Sequence, residues 1–255
     1  WNDADLRARR ALIAASLGWM LDAFDVMLYS MIIANLMVAF RMDKETAGLL
    51  GSLTLIAAAV GGIIFGIIAD RFGRTKAMMA AIVIYSVFTA ACGLSVSIMQ
   101  LAVFRFLLGL GMGGEWTSGA ALVTETWPAE HRGKAMGFVQ SFWAVGYALA
   151  ALVTAVVLPL GGWRTVFFIG VLPALLVFWI QKKVEEPAIW RRHKTAGEAG
   201  GAKVRVRDVL RGRMLGVTGA VTLMNAFTLF AWWGFNTWIP GYLSLSQSQG
   251  GIGLS

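Results

Sequence analysis

The chain has 255 residues, 58% of them hydrophobic and only 14% charged, a balance too apolar for a water-soluble domain of this length. The net charge of +8 and a pI near 10.1 raise nucleic acid as a partner, but the basic residues lie in the breaks between apolar runs, which excludes it in favour of a membrane pattern. The lone Cys92 sits inside an apolar run, so neither a disulfide framework nor a cysteine metal site is expected.

In chain order, apolar runs at about 11–37, 47–69, 77–94, 100–124, 136–158, 164–181 and 214–243 predict seven membrane-crossing helices. Helices are preferred to barrel strands because the runs are long and uninterrupted rather than alternating. The first run is too long for a cleavable leader and contains carboxylates, so it is expected to stay as a helix. Residues 1–181 read as a six-helix bundle, 182–213 as a cytoplasmic linker rich in Lys, Arg and Gly, and 214–255 as the start of a second bundle. The chain begins without Met and ends soon after the seventh run, so it reads as a fragment.

Orientation follows from Lys and Arg in alternate connections. Arg7, Arg9 and Arg10 precede the first helix, Arg71, Arg74 and Lys76 follow the second, and Arg132 and Lys134 follow the fourth. The long connection adds ten more, against only Arg41, Lys44 and Arg164 on the other side. The amino terminus and long loop are therefore expected in the cytoplasm, in a multi-pass protein of the plasma or inner membrane.

Charges inside a span cost at least about 2.5–3.5 kcal/mol each, which marks them as functional candidates. Asp22 and Asp25 share one face of the first helix, only about 4.5 Å apart along its axis, and like charges that close resist ionising together. Arg105 lies in the outer third of the fourth helix and Glu115 just past its middle, placing an arginine above the acids. Such a set suits proton coupling, with Asp22, Asp25 and Glu115 as carriers and Arg105 as counter-ion or carboxylate anchor. The competing reading has these charges tie helices together. The seventh-run segment Trp233 to Trp238 offers Asn236 and Trp238 as further substrate contacts. Neither His131 nor His193 is in a span, so no metal is expected, and no cofactor motif is present: Gly109, Gly111, Gly113 and Gly114 fall inside an apolar helix with no preceding strand. Trp127, Trp163 and Trp190 read as interfacial anchors, while Trp19, Trp116 and Trp143 lie deeper, where they could line a cavity or pack.

The run Gly66-Ile67-Ile68-Ala69-Asp70-Arg71-Phe72-Gly73-Arg74-Thr75-Lys76 resembles the major facilitator signature Gly-x-x-x-Asp-Arg-x-Gly-Arg-x-Lys at every fixed position. Glu125-Thr126-Trp127-Pro128 with Arg132-Gly133 is similar to the Glu-x-x-Pro-x-x-x-Arg-Gly element of that superfamily. Gly162-Trp163-Arg164 resembles the start of its sixth helix, and Glu186-Pro187 with Trp190 the segment after it. Asp22-Ala23-Phe24-Asp25 resembles the first-helix element of its organic-acid proton symporters, with Ala23 replacing the usual glycine, and Gly111 to Trp116 is similar to the fourth helix of sialate, lactate and aromatic-acid symporters. Gly146 is followed by Tyr147 rather than the proline of drug antiporters.

The resemblance implies an all-α membrane fold: the amino-terminal six-helix half of a twelve-helix carrier plus the seventh helix, with substrate at the midplane and alternating access. It implies a carrier rather than an enzyme, importing a small organic anion such as a monocarboxylate, aromatic acid or sialic acid with protons. Its partners would be substrate, protons and lipid, with no obligatory protein partner. Asp70, Arg71, Gly73, Arg74, Glu125 and Arg132 would form a cytoplasmic gate. A sugar or other metabolite carrier and a non-transporting sensor are the alternatives.

Overall fold

The computed structural model describes residues 5–198, 212–244 and 252, and the described residues are helical with no strand among them. The chain divides into two compact units, Trp1–Arg192 and His193–Ser255.

Helix α1 spans Leu6–Phe40, begun by Asp5, whose carboxylate accepts the Ala8 amide at 2.7 Å, and ended by Arg41 in the left-handed region at φ 51°. Asp43 caps α2, Lys44–Phe72, accepting the Thr46 amide at 2.8 Å. Gly73, at φ 118°, makes the turn into α3, Arg74–Gly93. Helix α4, Ile98–Thr126, opens on Ser97, whose hydroxyl accepts from Gln100, while the Gln100 side chain accepts the Val96 amide. A short 3₁₀ turn at Ala129–His131 leads into α5, Arg132–Ile169, followed by α6, Ala174–Lys183, and α7, Ala188–Glu198. Helix α8, Gly212–Ser244, is described by itself; it carries the long apolar run expected of a seventh span.

The expected fifth and sixth helices join inside α5, where Gly162 alone adopts non-helical angles, φ 69° and ψ −178°. This glycine reverses the chain. Arg132, at one end of α5, donates to Trp127 after α4; Arg164, just past the glycine, reaches the Ser95 carbonyl between α3 and α4; and Lys183, at the end of α6, accepts from Arg10 near the start of α1. The sixth run, predicted as one helix, is broken at Gly170–Pro173. Pro173 has no amide proton, and consecutive i→i−3 bonds from Gly170 to Leu176 carry the chain through the break.

Helix α4 is central, packed against α1, α2 and α3, while α1 also lies along α5. Glycines set these approaches. A Cβ on Gly61 or Gly113 would strike the backbone of Leu110 or Ala58 across the α2–α4 seam, and one on Gly146 would strike Met20 of α1. Only 28% of the most apolar window of α2 is buried. Its exposed Ile56, Ile63 and Ile67 would be a liability in water and are matched to hydrocarbon. Among the described residues this is an integral membrane bundle of six spans, with α8 as a seventh.

Candidate functional site

Two groups of polar side chains stand out, one inside the bundle and one at the end where α2 turns into α3. The first lies in the middle of α1 and α4. Asp22 is 2% exposed, Asp25 3%, Arg105 4% and Glu115 1%, so all four predicted intramembrane charges are inside the bundle rather than facing lipid. Asp22 is within electrostatic reach of both Glu115 and Asp25. Glu115 fills the space that a side chain on Gly18 of α1 would need, with Met78 of α3 on the other side. Neither Glu115 oxygen has a hydrogen-bond partner among the described residues, nor do Oδ1 of Asp22, Oδ1 of Asp25, Nε of Arg105 or the Tyr85 hydroxyl. Nearly all buried polar atoms in folded proteins are paired, so this concentration sets the group apart from the rest of the bundle interior.

The part of the group around Asp25 and Arg105 is better organised. Thr89 of α3 donates its hydroxyl to Asp25 Oδ2 at 2.9 Å. Arg105 stacks over the ring of Tyr29, its guanidinium carbon 3.6 Å from the centroid, and lies within electrostatic reach of Asp25. The Tyr29 hydroxyl donates to the Ala47 carbonyl at 2.8 Å, tying this part of α1 to the start of α2. Of the three acids, Asp25 is thus the one that Arg105 approaches, and the Tyr29 platform beneath it was not expected from the sequence. Tyr29 follows Asp25 by one helical turn, so its shared face was readable; nothing in the sequence singled out Thr89 or Tyr85.

Trp19, Trp116 and Trp143 meet beside this group, with ring centroids 4.1 and 4.7 Å from Trp19. Trp127, Trp163 and Trp190, expected as interfacial anchors, are instead at most 9% exposed. Two of them are internal brackets: Trp127 donates to the Ala8 carbonyl at 3.0 Å and Trp190 to the Asp70 carbonyl at 2.8 Å. An indole N–H that finds a carbonyl inside the fold has no need of the headgroup layer.

The second group surrounds Gly73. Arg74 makes a forked contact with Glu125, with bonds of 3.0, 3.1 and 2.7 Å, and pairs with Asp70 at 2.7 Å. The α2–α3 turn is thereby fastened to the end of α4. Glu186 adds a link from the segment after α6: its carboxylate accepts the Thr75 and Lys76 amides, both at 3.2 Å, at the start of α3. The space above Gly73 is filled by that same carboxylate. Two further residues expected here make contacts other than ion pairs. Arg71 points to the Phe72 ring at 5.3 Å, and Arg132 donates to the Trp127 carbonyl rather than to an acid. Of the two seventh-helix residues, the Asn236 side chain lies outside the described residues, and Trp238 is a partly exposed residue of α8 in the second unit.

The sequence matches the Major Facilitator Superfamily over residues 15–254. The chain is 38% identical over 237 residues to a sialic acid transporter of Escherichia coli (strain K12), covering 92% of this chain and 57% of that protein. It is 32% identical over 239 residues to a cis,cis-muconate transport protein of Acinetobacter baylyi (strain ATCC 33305 / BD413 / ADP1), covering 91% and 57%. Among solved structures, a bacterial homolog of the human lysosomal transporter Spinster, inward-facing and unoccupied, superimposes with a TM-score of 0.72 at 22% identity, covering 96% of this chain and 58% of that one. At that identity the likeness is one of fold. The chain spans little more than half the length of these relatives. With the family match running through nearly every helix described above, the chain belongs to the major facilitator superfamily.

Proposed function

We propose that this chain forms the amino-terminal part of a carrier that imports a small organic anion together with protons by alternating access. One observation carries the reading: three carboxyl groups and one arginine lie buried inside the bundle on α1 and α4, with oxygens and a nitrogen that have no hydrogen-bond partner among the described residues. A carboxyl group in that setting changes charge by taking or losing a proton, and Arg105 offers a cation to an incoming carboxylate. Asp22, Asp25 and Glu115 carry protons in this scheme. Arg105 anchors the substrate. The two relatives named for sialic acid and muconate, both carboxylic acids, support an organic anion over a neutral solute.

Asp70, Arg71, Gly73, Arg74, Glu125 and Arg132 set the balance between outward-open and inward-open states. In this role Arg74 and Glu125 bear the ionic link, while Arg132 acts through the Trp127 carbonyl and Arg71 through the Phe72 ring. The end bearing this group and the amino terminus faces the cytoplasm of a plasma-membrane protein, following the distribution of Lys and Arg.

The test is uptake by proteoliposomes containing the full-length protein, offered labelled monocarboxylates, aromatic acids, sialic acid and sugars with and without an inward proton gradient. Gradient-stimulated uptake of an acid, lost in Asp22→Asn, supports the reading. Gradient-independent sugar uptake refutes it, and ligand binding without uptake by any substrate points to a sensor.

A further inference from the structure

We propose that Thr89 is a positioning residue for proton coupling, whose hydroxyl holds the Asp25 carboxyl in a fixed place so that the two aspartates of α1 do different work. The inference rests on the proton-coupled reading above and adds a residue and a division of labour to it.

The asymmetry is geometric. Asp25 Oδ2 accepts the Thr89 hydroxyl at 2.9 Å in a buried setting. The pair is closed from the far side by the break in the sixth span. A Cβ on Gly170 would run into the Thr89 methyl and come within 3.0 Å of Asp25 Oδ1. Only a glycine lets that turn rest on the pair. The titratable groups around Asp25 are Asp22 on its own helix, Tyr85 and Cys92 from α3, and Arg105 from α4. Arg105 is the cation among them, and it is itself held on the Tyr29 ring.

Among the described residues, Asp22 has no equivalent of Thr89. Its Oδ1 is unpaired among the described residues, and it faces Glu115 and the Tyr85 hydroxyl, which are unpaired as well. A threonine hydroxyl can donate to an ionised carboxylate and accept from a protonated one, so it keeps Asp25 oriented in either state. Asp25 therefore stays opposite Arg105 through the cycle. Asp22, free of such a tether, is the member that exchanges protons with its neighbours on α3 and α4.

Thr89→Val preserves shape and removes the hydroxyl; Thr89→Ser keeps it; Thr89→Ala replaces the valine variant if that protein does not give a single gel-filtration peak. Each is measured in proteoliposomes for gradient-driven uptake from pH 5 to pH 8 and for counterflow exchange, which needs no net proton movement. A hydrogen bond of about 0.5–1.5 kcal/mol predicts a roughly two- to twelvefold loss of gradient-driven uptake in Thr89→Val. Its half-maximal pH is displaced by about half a unit or more, counterflow stays within about twofold of wild type, and Thr89→Ser restores the wild-type profile. A Thr89→Val protein with a wild-type pH profile overturns the proposal, as does a Thr89→Ser protein as impaired as Thr89→Val. If wild-type uptake itself ignores the gradient, the proton-coupled reading fails and the role of Thr89 falls with it, an outcome distinct from failure in the variants alone.

Discussion

Replacing Gly73 by Ala tests the packing at the end of the bundle in a way that separates two causes. Gly73 sits at φ 118° and ψ 150°, where an L-residue is strained by about 1–3 kcal/mol. The added Cβ also meets the Glu186 carboxylate, whose bonds to the Thr75 and Lys76 amides must then lengthen or break. The Lys76 amide is exposed and can turn to water while the Thr75 amide is part-buried, so that part costs about 1 kcal/mol. Together they predict a destabilisation of about 2–4 kcal/mol in Gly73→Ala. In a double-mutant cycle on the full-length protein, Glu186→Ala costs about 1 kcal/mol alone, and the pair costs about 1 kcal/mol less than the sum, because the contact can be lost only once. The assay is unfolding in detergent followed by tryptophan fluorescence. Strict additivity would refute the claim that Glu186 occupies the space over Gly73, and a Gly73→Ala protein as stable as wild type would refute the backbone argument too.

Three further outcomes follow from the same geometry. Glu125→Gln weakens the forked link to Arg74, in which the two side chains are 20% and 11% exposed, by about 1.5–3 kcal/mol; amide exchange at Arg74 to Ala77 then rises roughly ten- to hundredfold. Tyr29→Leu removes the platform under Arg105, and loss of a desolvated cation–π contact of about 1–2 kcal/mol raises the KM for the organic anion roughly five- to thirtyfold, whereas Tyr29→Phe retains most affinity. At the start of α2, the Thr46 hydroxyl and amide hold the Asp43 carboxyl below its ordinary value of 3.8. Because the value is lower in the folded protein, the cap contributes above the ordinary value and is lost as pH falls through the folded one. Exchange of the Thr46 amide, corrected for its intrinsic pH dependence, therefore loses protection in that acidic window, and Asp43→Asn abolishes the transition.

Much of the architecture was legible because apolar run length is dictated by bilayer thickness and loop composition by the cost of moving charge. The four buried charges were legible for the same reason: Asp22, Asp25, Arg105 and Glu115 are conspicuous in apolar surroundings. What surrounds them was not, because partners such as Thr89 come from other helices and a lone threonine in an apolar run carries no signal of its own. The turn at Gly162 was legible as the gap between the fifth and sixth runs, and only its form was not. It takes a single residue with unusual angles, so the polar break that normally separates helices is nearly absent. The interfacial reading of Trp127 and Trp190 failed because position along a helix does not say whether a carbonyl lies within reach. The motif at the α2–α3 turn did not show which charges pair: Arg74 takes both Asp70 and Glu125, leaving Arg71 and Arg132 to a ring and a carbonyl.

The central claim is that the buried carboxyl groups move protons together with an organic anion. The most direct measurement is the internal pH of proteoliposomes loaded with a fluorescent pH indicator, with no imposed proton gradient, when a transported acid is added outside and uptake is followed in parallel. The account predicts internal acidification in step with uptake, beyond that from passive entry of the undissociated acid in protein-free vesicles, and its loss in Asp22→Asn. Uptake that proceeds with no change in internal pH, or acidification unchanged in Asp22→Asn, Asp25→Asn and Glu115→Gln, would contradict it.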